Sequence, residues 1–223
     1  QEWLGEHLRL EPDMVPVQSL PGTSHYDKLI EKGYTETARY NYTDEVGNIA
    51  HYVARLEHPE HKKQFVQGAN GRWGVKGVQL YPYNLPAILQ SSYCYVCEGE
   101  KAAQSLIDRG EPATTNVSGA GKWQLSYNEY FRGKSVAILR DNDEEGLKHA
   151  KQVAKSLFGI AKDIRITTTS TAPKGDVFDW FEESRFNTSL NLFEIVKNTP
   201  TVTEEDLLDV EEITEDIDPF GNK

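Results

Sequence analysis

Cysteine is scarce in these 223 residues: Cys94 and Cys97 are the only two, and no second pair exists to complete four zinc ligands. They lie in the apolar run Tyr93-Cys94-Tyr95-Val96-Cys97, where a strand sends residues three apart to opposite faces. Two packed core thiols are therefore expected rather than half a metal site, and free buried thiols fit a reducing, intracellular setting. Long apolar runs are missing as well. No stretch approaches the ~20 residues of a membrane helix, so no helical anchor is expected and a membrane partner is excluded. There is no internal repeat. Gln1 in first place fits a processed or trimmed N-terminus, with further domains possible upstream.

An excess of basic residues is also lacking, since the net charge is −11. Taken alone this argues against a nucleic-acid partner. However, nine acids against Lys223 alone give the last 23 residues a charge of −8, leaving −3 on residues 1–200. A cluster of functional acids supplies much of that remainder, so a nucleic-acid substrate stays open. Apolar content of 38% with 10% aromatics describes a soluble globular protein with a real core.

Along the chain, prolines at 12, 16 and 21 mark residues 1–25 as an irregular leading segment. Residues 26–90 read as a small antiparallel α+β unit. It has a short helix over 26–32, a hairpin of 37–42 with 49–56 around a Gly-Asn turn, and a second hairpin over 63–78 turning at Gly68-Ala69-Asn70-Gly71. Residues 81–89 bridge to the next unit. From 91 to 200 strands and helices alternate. Strands are expected at 93–97, 113–117, 135–139 and 164–168, with helices at 101–109, 124–131, 144–158, 177–184 and 190–197. That rhythm predicts four mostly parallel strands joined by right-handed crossovers, an α/β sheet. Residues 201–223 read as an acidic tail, a linker or partner segment.

The chemistry-bearing stretch is Val136-Ala137-Ile138-Leu139-Arg140-Asp141-Asn142-Asp143-Glu144-Glu145-Gly146, where a buried parallel strand runs straight into carboxylates. In extended backbone Asp141 and Asp143 aim at one spot, where two carboxylates about 4 Å apart repel by roughly 4 kcal/mol at an effective dielectric near 20. A divalent cation removes that penalty, and oxygen-only ligands suit magnesium. The plainer alternative is that Asp143 caps the following helix. Glu98 sits at the equivalent end of the first strand, before Gly99, whose freedom suits a sharp turn. A third acidic group, Asp176 and Asp179, follows the fourth strand and also has a capping alternative. Three acid clusters at equivalent strand ends point to one crevice. Ser118-Gly119-Ala120-Gly121-Lys122-Trp123 lacks the first glycine and the hydroxyl of an ATPase phosphate loop. It reads as a glycine turn beside the crevice with Lys122 as a phosphate contact. His58-x-x-His61 reads as surface loop, and Lys148 and His149 as solvent-facing.

The triple of Glu98-Gly99, Asp141-x-Asp143 and Gly175-Asp176 resembles the TOPRIM fold of bacterial primases, topoisomerases and some nucleases. Within that group, Glu98-Gly99-Glu100-Lys101, Gly119-Ala120-Gly121-Lys122-Trp123, Asp141-Asn142-Asp143-Glu144-x-Gly146 and Lys174-Gly175-Asp176-x-x-Asp179-Trp180 are similar to primases and primase–helicases of phages and plasmids. Upstream, Lys76-Gly77-Val78-Gln79-Leu80-Tyr81 and Lys62-Lys63-Gln64-Phe65 resemble the segments that precede TOPRIM in bacterial-type primases. The resemblance implies a primase catalytic core that makes RNA primers on single-stranded DNA from ribonucleoside triphosphates. Glu98, Asp141 and Asp143 would be its catalytic acids, holding magnesium or manganese with Asp176 and Asp179 beside them. Lys63, Lys76, Lys101 and Lys122 would contact nucleotide or DNA. A replicative helicase, fused or separate, is the implied partner, and the cytoplasm or nucleoid of a bacterial host the implied location. One departure stands out: Ala102-Ala103 occupies the place where such primases carry another acid, with Glu100 as the nearest substitute. A TOPRIM nuclease and a non-catalytic TOPRIM module serving a helicase are the alternatives. A topoisomerase would need strand-passage domains that this length does not hold.

Overall fold

The computed structural model describes residues 24–213, which fall into two compact units. The first comprises residues 24–39 with Val53–Val75, and the second Tyr40–Tyr52 with residues 76–213.

In the first unit, helix α1 (His25–Glu31) opens with a reciprocal cap. Asp27 N–H donates to Ser24 Oγ at 3.1 Å, and Ser24 N–H to the Asp27 carboxylate at 3.2 Å. A four-stranded sheet follows in the order β1 (Thr35–Thr43), β2 (Ile49–His58), β3 (His61–Ala69), β4 (Arg72–Trp73), with the tip of the β1–β2 hairpin belonging to the second unit. Leu29, Tyr34, Ala54, Leu56 and Val66 form the small core, closed by Tyr26 stacked on Trp73 at 4.0 Å. The second hairpin turns at Asn70 and Gly71 as expected, both with positive φ. Its return strand is only two residues long, because Gly74 and Gly77 bend the backbone away at φ +98° and +74°.

The second unit is built on a parallel sheet in the order β6 (Ala113–Thr114), β5 (Tyr93–Cys97), β7 (Ser135–Leu139), β8 (Asp163–Thr167). The expected fold class is what is observed: an α/β sheet with flanking helices and a separate antiparallel sheet. The buried runs Cys94–Cys97 and Val136–Leu139 explain the central strands, since parallel strands are covered on both faces. Helix α4 (Glu144–Leu157) lays Ala150, Val153, Ala154 and Leu157 on the sheet, with Trp123, Tyr127 and Phe131 packed alongside. Helices α3 (Glu100–Ile107), α5 (Val177–Glu183) and α6 (Ser189–Asn198) complete the unit.

Four details differ from the sequence reading. Strand β6 stops at Thr114 because the chain there turns to Tyr83: Thr114 Oγ1 donates to Tyr83 C=O at 2.6 Å, and Tyr83 N–H to Thr115 C=O at 3.0 Å. The bridge over 81–89 contains a further helix, α2 (Leu85–Gln90), whose Pro86 sits in the first turn where a missing N–H costs nothing. The helix over 124–131 is a 3₁₀ helix, Leu125–Phe131. Finally, 201–213 is not a free linker. Val202 N–H donates to Ile164 C=O at 2.8 Å, and Leu207 is buried in the main core beside Val202, Val210 and Ile213. The leading segment 1–23 and the tail from 214 lie outside the described residues. Among the described residues no helix is long and apolar enough to cross a membrane.

Candidate active site

The register of the sheet sets the site. Cys97 pairs with Leu139, and Leu139 with Thr167, so Glu98 and the Arg140–Asp141 step emerge side by side at the carboxyl end of neighbouring strands. Asp141 and Asp143 do not lie on one continuous extended segment as the sequence suggested, although Asp143 itself is extended at φ −148°. Asp143 N–H donates to Asp141 C=O at 2.9 Å, a tight turn that brings the two acids to one place by another route. Arg140 pins this turn from below, its Nη1 donating to Asp141 C=O at 2.8 Å and to Asp143 C=O at 3.3 Å. Asn142 then ties the turn to the loop after β8. Asn142 N–H donates to Gly175 C=O at 3.0 Å, Lys174 N–H to Asn142 C=O at 3.1 Å, and Asn142 Nδ2 to Ala172 C=O at 3.1 Å. That lacing carries Asp176 to the crevice.

Both capping alternatives hold. Asp143 caps α4 through Gly146 N–H at 2.7 Å, and Asp176 caps α5 through Asp179 N–H at 2.9 Å. Capping occupies one carboxylate oxygen and leaves the charge in place. The electrostatics register that charge. Asp141 is pushed up to about 7, first by burial and then by Glu98, Asp176, Asp143 and Asp179. Glu98 is raised by burial and then by Asp143 and Glu145, while Asp176 is raised by burial with Lys101 pulling against the rise. The acids that the sequence singled out thus converge, with Lys101 as a counter-charge to Asp176. Lys101 itself stands 3.5 Å over the Phe178 ring.

A divalent cation fits this set in its chemistry. The donors are all carboxylate oxygens, the charges of Glu98 and Asp141 are disfavoured by burial and by their neighbours, and Glu98 Oε2 is buried with no hydrogen-bond partner. Among the described residues, however, no three His, Cys, Asp or Glu side chains stand close enough together to hold an ion as they are placed. Binding would have to draw the carboxylates inward. Both cysteines are buried and free, and burial pushes the Cys94 thiol up to about 12, as packed core thiols require.

The remaining candidates are distributed. Lys122 is half-buried after the glycine turn, and Lys76 is exposed in the bend between Gly74 and Gly77. Lys63 is exposed on β3 in the first unit, 5.8 Å from the Phe65 ring. Glu100 is buried and accepts a hydrogen bond from Tyr42 Oη at 2.9 Å, beside a fully buried Ala103.

Three features escaped the sequence reading. Gly99 needs no special freedom: its backbone is extended at φ −143°, and a Cβ there would meet nothing within 4 Å. The glycine that matters is Gly146, where a Cβ would lie 2.7 Å from Asp141 O and 3.1 Å from Glu98 Oε2. His149 does not face solvent. It is 4% exposed, burial holds it down at about 4, and its Nδ1 accepts the Gly121 N–H at 2.9 Å. The helical spacing Gly146, His149–Ala150, Val153, Leu157 was the available signal for that inward face.

No protein-family profile matches the chain. The Gene 57 protein of Mycobacterium phage D29 is 40% identical over 77 residues, spanning 34% of this chain and 50% of that protein. Solved structures align over most of the chain. A DNA primase domain from Pseudomonas aeruginosa gives a TM-score of 0.57 at 18% identity, over 73% of this chain and 51% of that one. The Aquifex aeolicus primase, zinc-binding and RNA polymerase domains, gives 0.55 at 13% identity, over 79% and 47%. A DnaG primase catalytic domain bound to single-stranded DNA gives 0.51 at 14% identity, over 81% and 63%. The chain therefore spans about half the length of the relative and of the first two structures. Its fold is that of the catalytic core of bacterial-type primases, a TOPRIM-containing core with a separate antiparallel sheet.

Proposed function

We propose that the chain is the catalytic core of a primase, a nucleotidyltransferase that joins ribonucleotides on single-stranded DNA with magnesium or manganese. The observation that carries this reading is the convergence of Glu98, Asp141, Asp143 and Asp176 at adjacent strand ends in a primase-like fold. Glu98 and Asp141 would hold the cation, with Asp143, Asp176 and Asp179 around them. When bound, such an ion neutralises triphosphate charge and lowers the pKa of the attacking hydroxyl. The chain's own contribution is positional. Arg140 fixes the turn that carries the acids, and Gly146 lets α4 pack directly behind them. Lys101 and Lys122 would offer cations to the phosphates, and Lys63 and Lys76 would contact template or nucleotide. In the reaction, a 3′-hydroxyl attacks the α-phosphorus of the incoming nucleotide and pyrophosphate leaves.

One observation favours the second reading, a non-catalytic module serving a replicative helicase. Glu100, the nearest substitute for the acid replaced by Ala102, is buried and one of its carboxylate oxygens is taken by the Tyr42 hydroxyl. Incubation with single-stranded DNA, magnesium and labelled ribonucleoside triphosphates separates the readings. Short RNA products are expected, and they should vanish in Asp141→Asn/Asp143→Asn. Cut DNA would instead indicate a TOPRIM nuclease, and neither product the binding module.

A further inference from the structure

Helix α4 touches two separate parts of the crevice with residues one turn apart. Gly146 lies against Asp141 and Glu98, and His149 against Gly121. The Gly121 contact is specific. An Nδ1 that accepts a hydrogen bond is unprotonated, so the ring is neutral with its proton on Nε2. The segment it grips has an unusual backbone: Ser118, Gly119 and Gly121 all adopt positive φ, at 68°, 69° and 72°. Successive residues of this kind expose backbone N–H groups and seldom hold their shape unaided. Asn116 Nδ2 secures the near end through Gly119 C=O at 2.6 Å, and Gly119 sits where a Cβ would lie 3.8 Å from Glu98 C=O. The far end, running into Lys122, is secured by His149.

We infer that His149 is a positioning residue that holds the Gly119–Lys122 turn at a fixed distance from the acid cluster, so that its backbone and Lys122 receive the triphosphate. The inference rests on the primase reading for its ligand, and on the Gly121 contact for its residue. A histidine buried only for its volume would also fill this place, so the test must separate hydrogen-bond acceptance from packing. Asparagine and leucine do so. They are nearly the same shape, and asparagine alone can present an acceptor where Nδ1 lies.

The experiment compares the full chain with His149→Asn and His149→Leu. The readouts are exchange of the Gly121 amide by NMR, binding of ATP and of GTP with magnesium by calorimetry, and thermal unfolding as a control on folding. His149→Leu is expected to speed Gly121 exchange and weaken nucleotide binding roughly tenfold, the scale of one lost hydrogen bond. His149→Asn should stay close to wild type in both. In primer synthesis the Leu variant should raise KM for nucleotide more than it lowers kcat. Equal behaviour of Asn and Leu would overturn the proposal, as would faster Gly121 exchange with unchanged nucleotide affinity. If the wild-type chain binds neither nucleotide, the primase reading itself fails, a result distinct from variants that bind as well as wild type.

Discussion

Of the helices that begin at the crevice, α4 and α3 have first turns built in opposite ways. Helix α4 is closed: Asp143 satisfies its Gly146 N–H, and Gly146 is packed so tightly on Asp141 and Glu98 that no side chain fits. Helix α3 is open: its N-cap is Gly99, no side chain caps it, and the space where a Cβ would stand is empty. The same motif element, an acid followed by a glycine, thus serves different ends. At α4 the glycine lets two charged groups and a helix share one place. At α3 it leaves the first turn unobstructed beside Lys101. The difference teaches that a glycine's importance lies in what its missing side chain would strike, which its position in a motif does not reveal.

The sharpest way to break this contrast is Gly146→Ala. The added methyl would strike backbone that cannot swing aside, so a loss of about 2–3 kcal/mol is expected, the upper range for overpacking. Primer synthesis should fall with it. Chemical denaturation and the primer assay check both, and a variant of wild-type stability and activity would show that the close approach is unimportant.

A smaller effect follows from Asp141. Its folded pKa of about 7 lies above the ordinary 3.8, so the native state holds that proton more tightly than the unfolded chain. The stability this contributes is complete below the ordinary value and is lost as pH rises through about 7. Without divalent cations, stability should therefore decline across that window, and Asp141→Asn should flatten the decline. Added magnesium should stabilise the wild type most above pH 7, where the carboxylates are charged, and the Asn variant less. Thermal unfolding across pH, with and without the ion, measures this, and identical slopes in the two proteins would remove Asp141 from the coupled cluster.

The smallest effect is expected at Gly99. With extended backbone and open space, Gly99→Ala should change stability by less than about 1 kcal/mol, and Gly99→Ser should recover any loss by supplying a cap. A large loss by chemical denaturation would show that the two first turns are alike after all.

Much of this was legible in the sequence, for identifiable reasons. Strands β5 and β7 end where their apolar runs do and begin within a residue of them, because a strand buried on both faces has one solution. Glu98, Asp141 and Asp176 follow from their places after strands. What was hidden depends on partners far along the chain. The early stop of β6 is decided by Tyr83, 31 residues before Thr114. The inward turn of His149 is decided by Gly121, 28 residues earlier. The packing of 201–213 is decided by Leu207 finding the main core despite six acids between 204 and 212. Charge pattern described that segment's surface and missed its one buried anchor.

Manganese titration followed by electron paramagnetic resonance tests the proposed cation site at these strand ends directly, without requiring catalysis. The wild-type chain should bind manganese, magnesium should displace it, and Glu98→Gln and Asp141→Asn should each weaken binding while Glu100→Gln leaves it unchanged. Equal binding by wild type and the Glu98 and Asp141 variants would contradict the account.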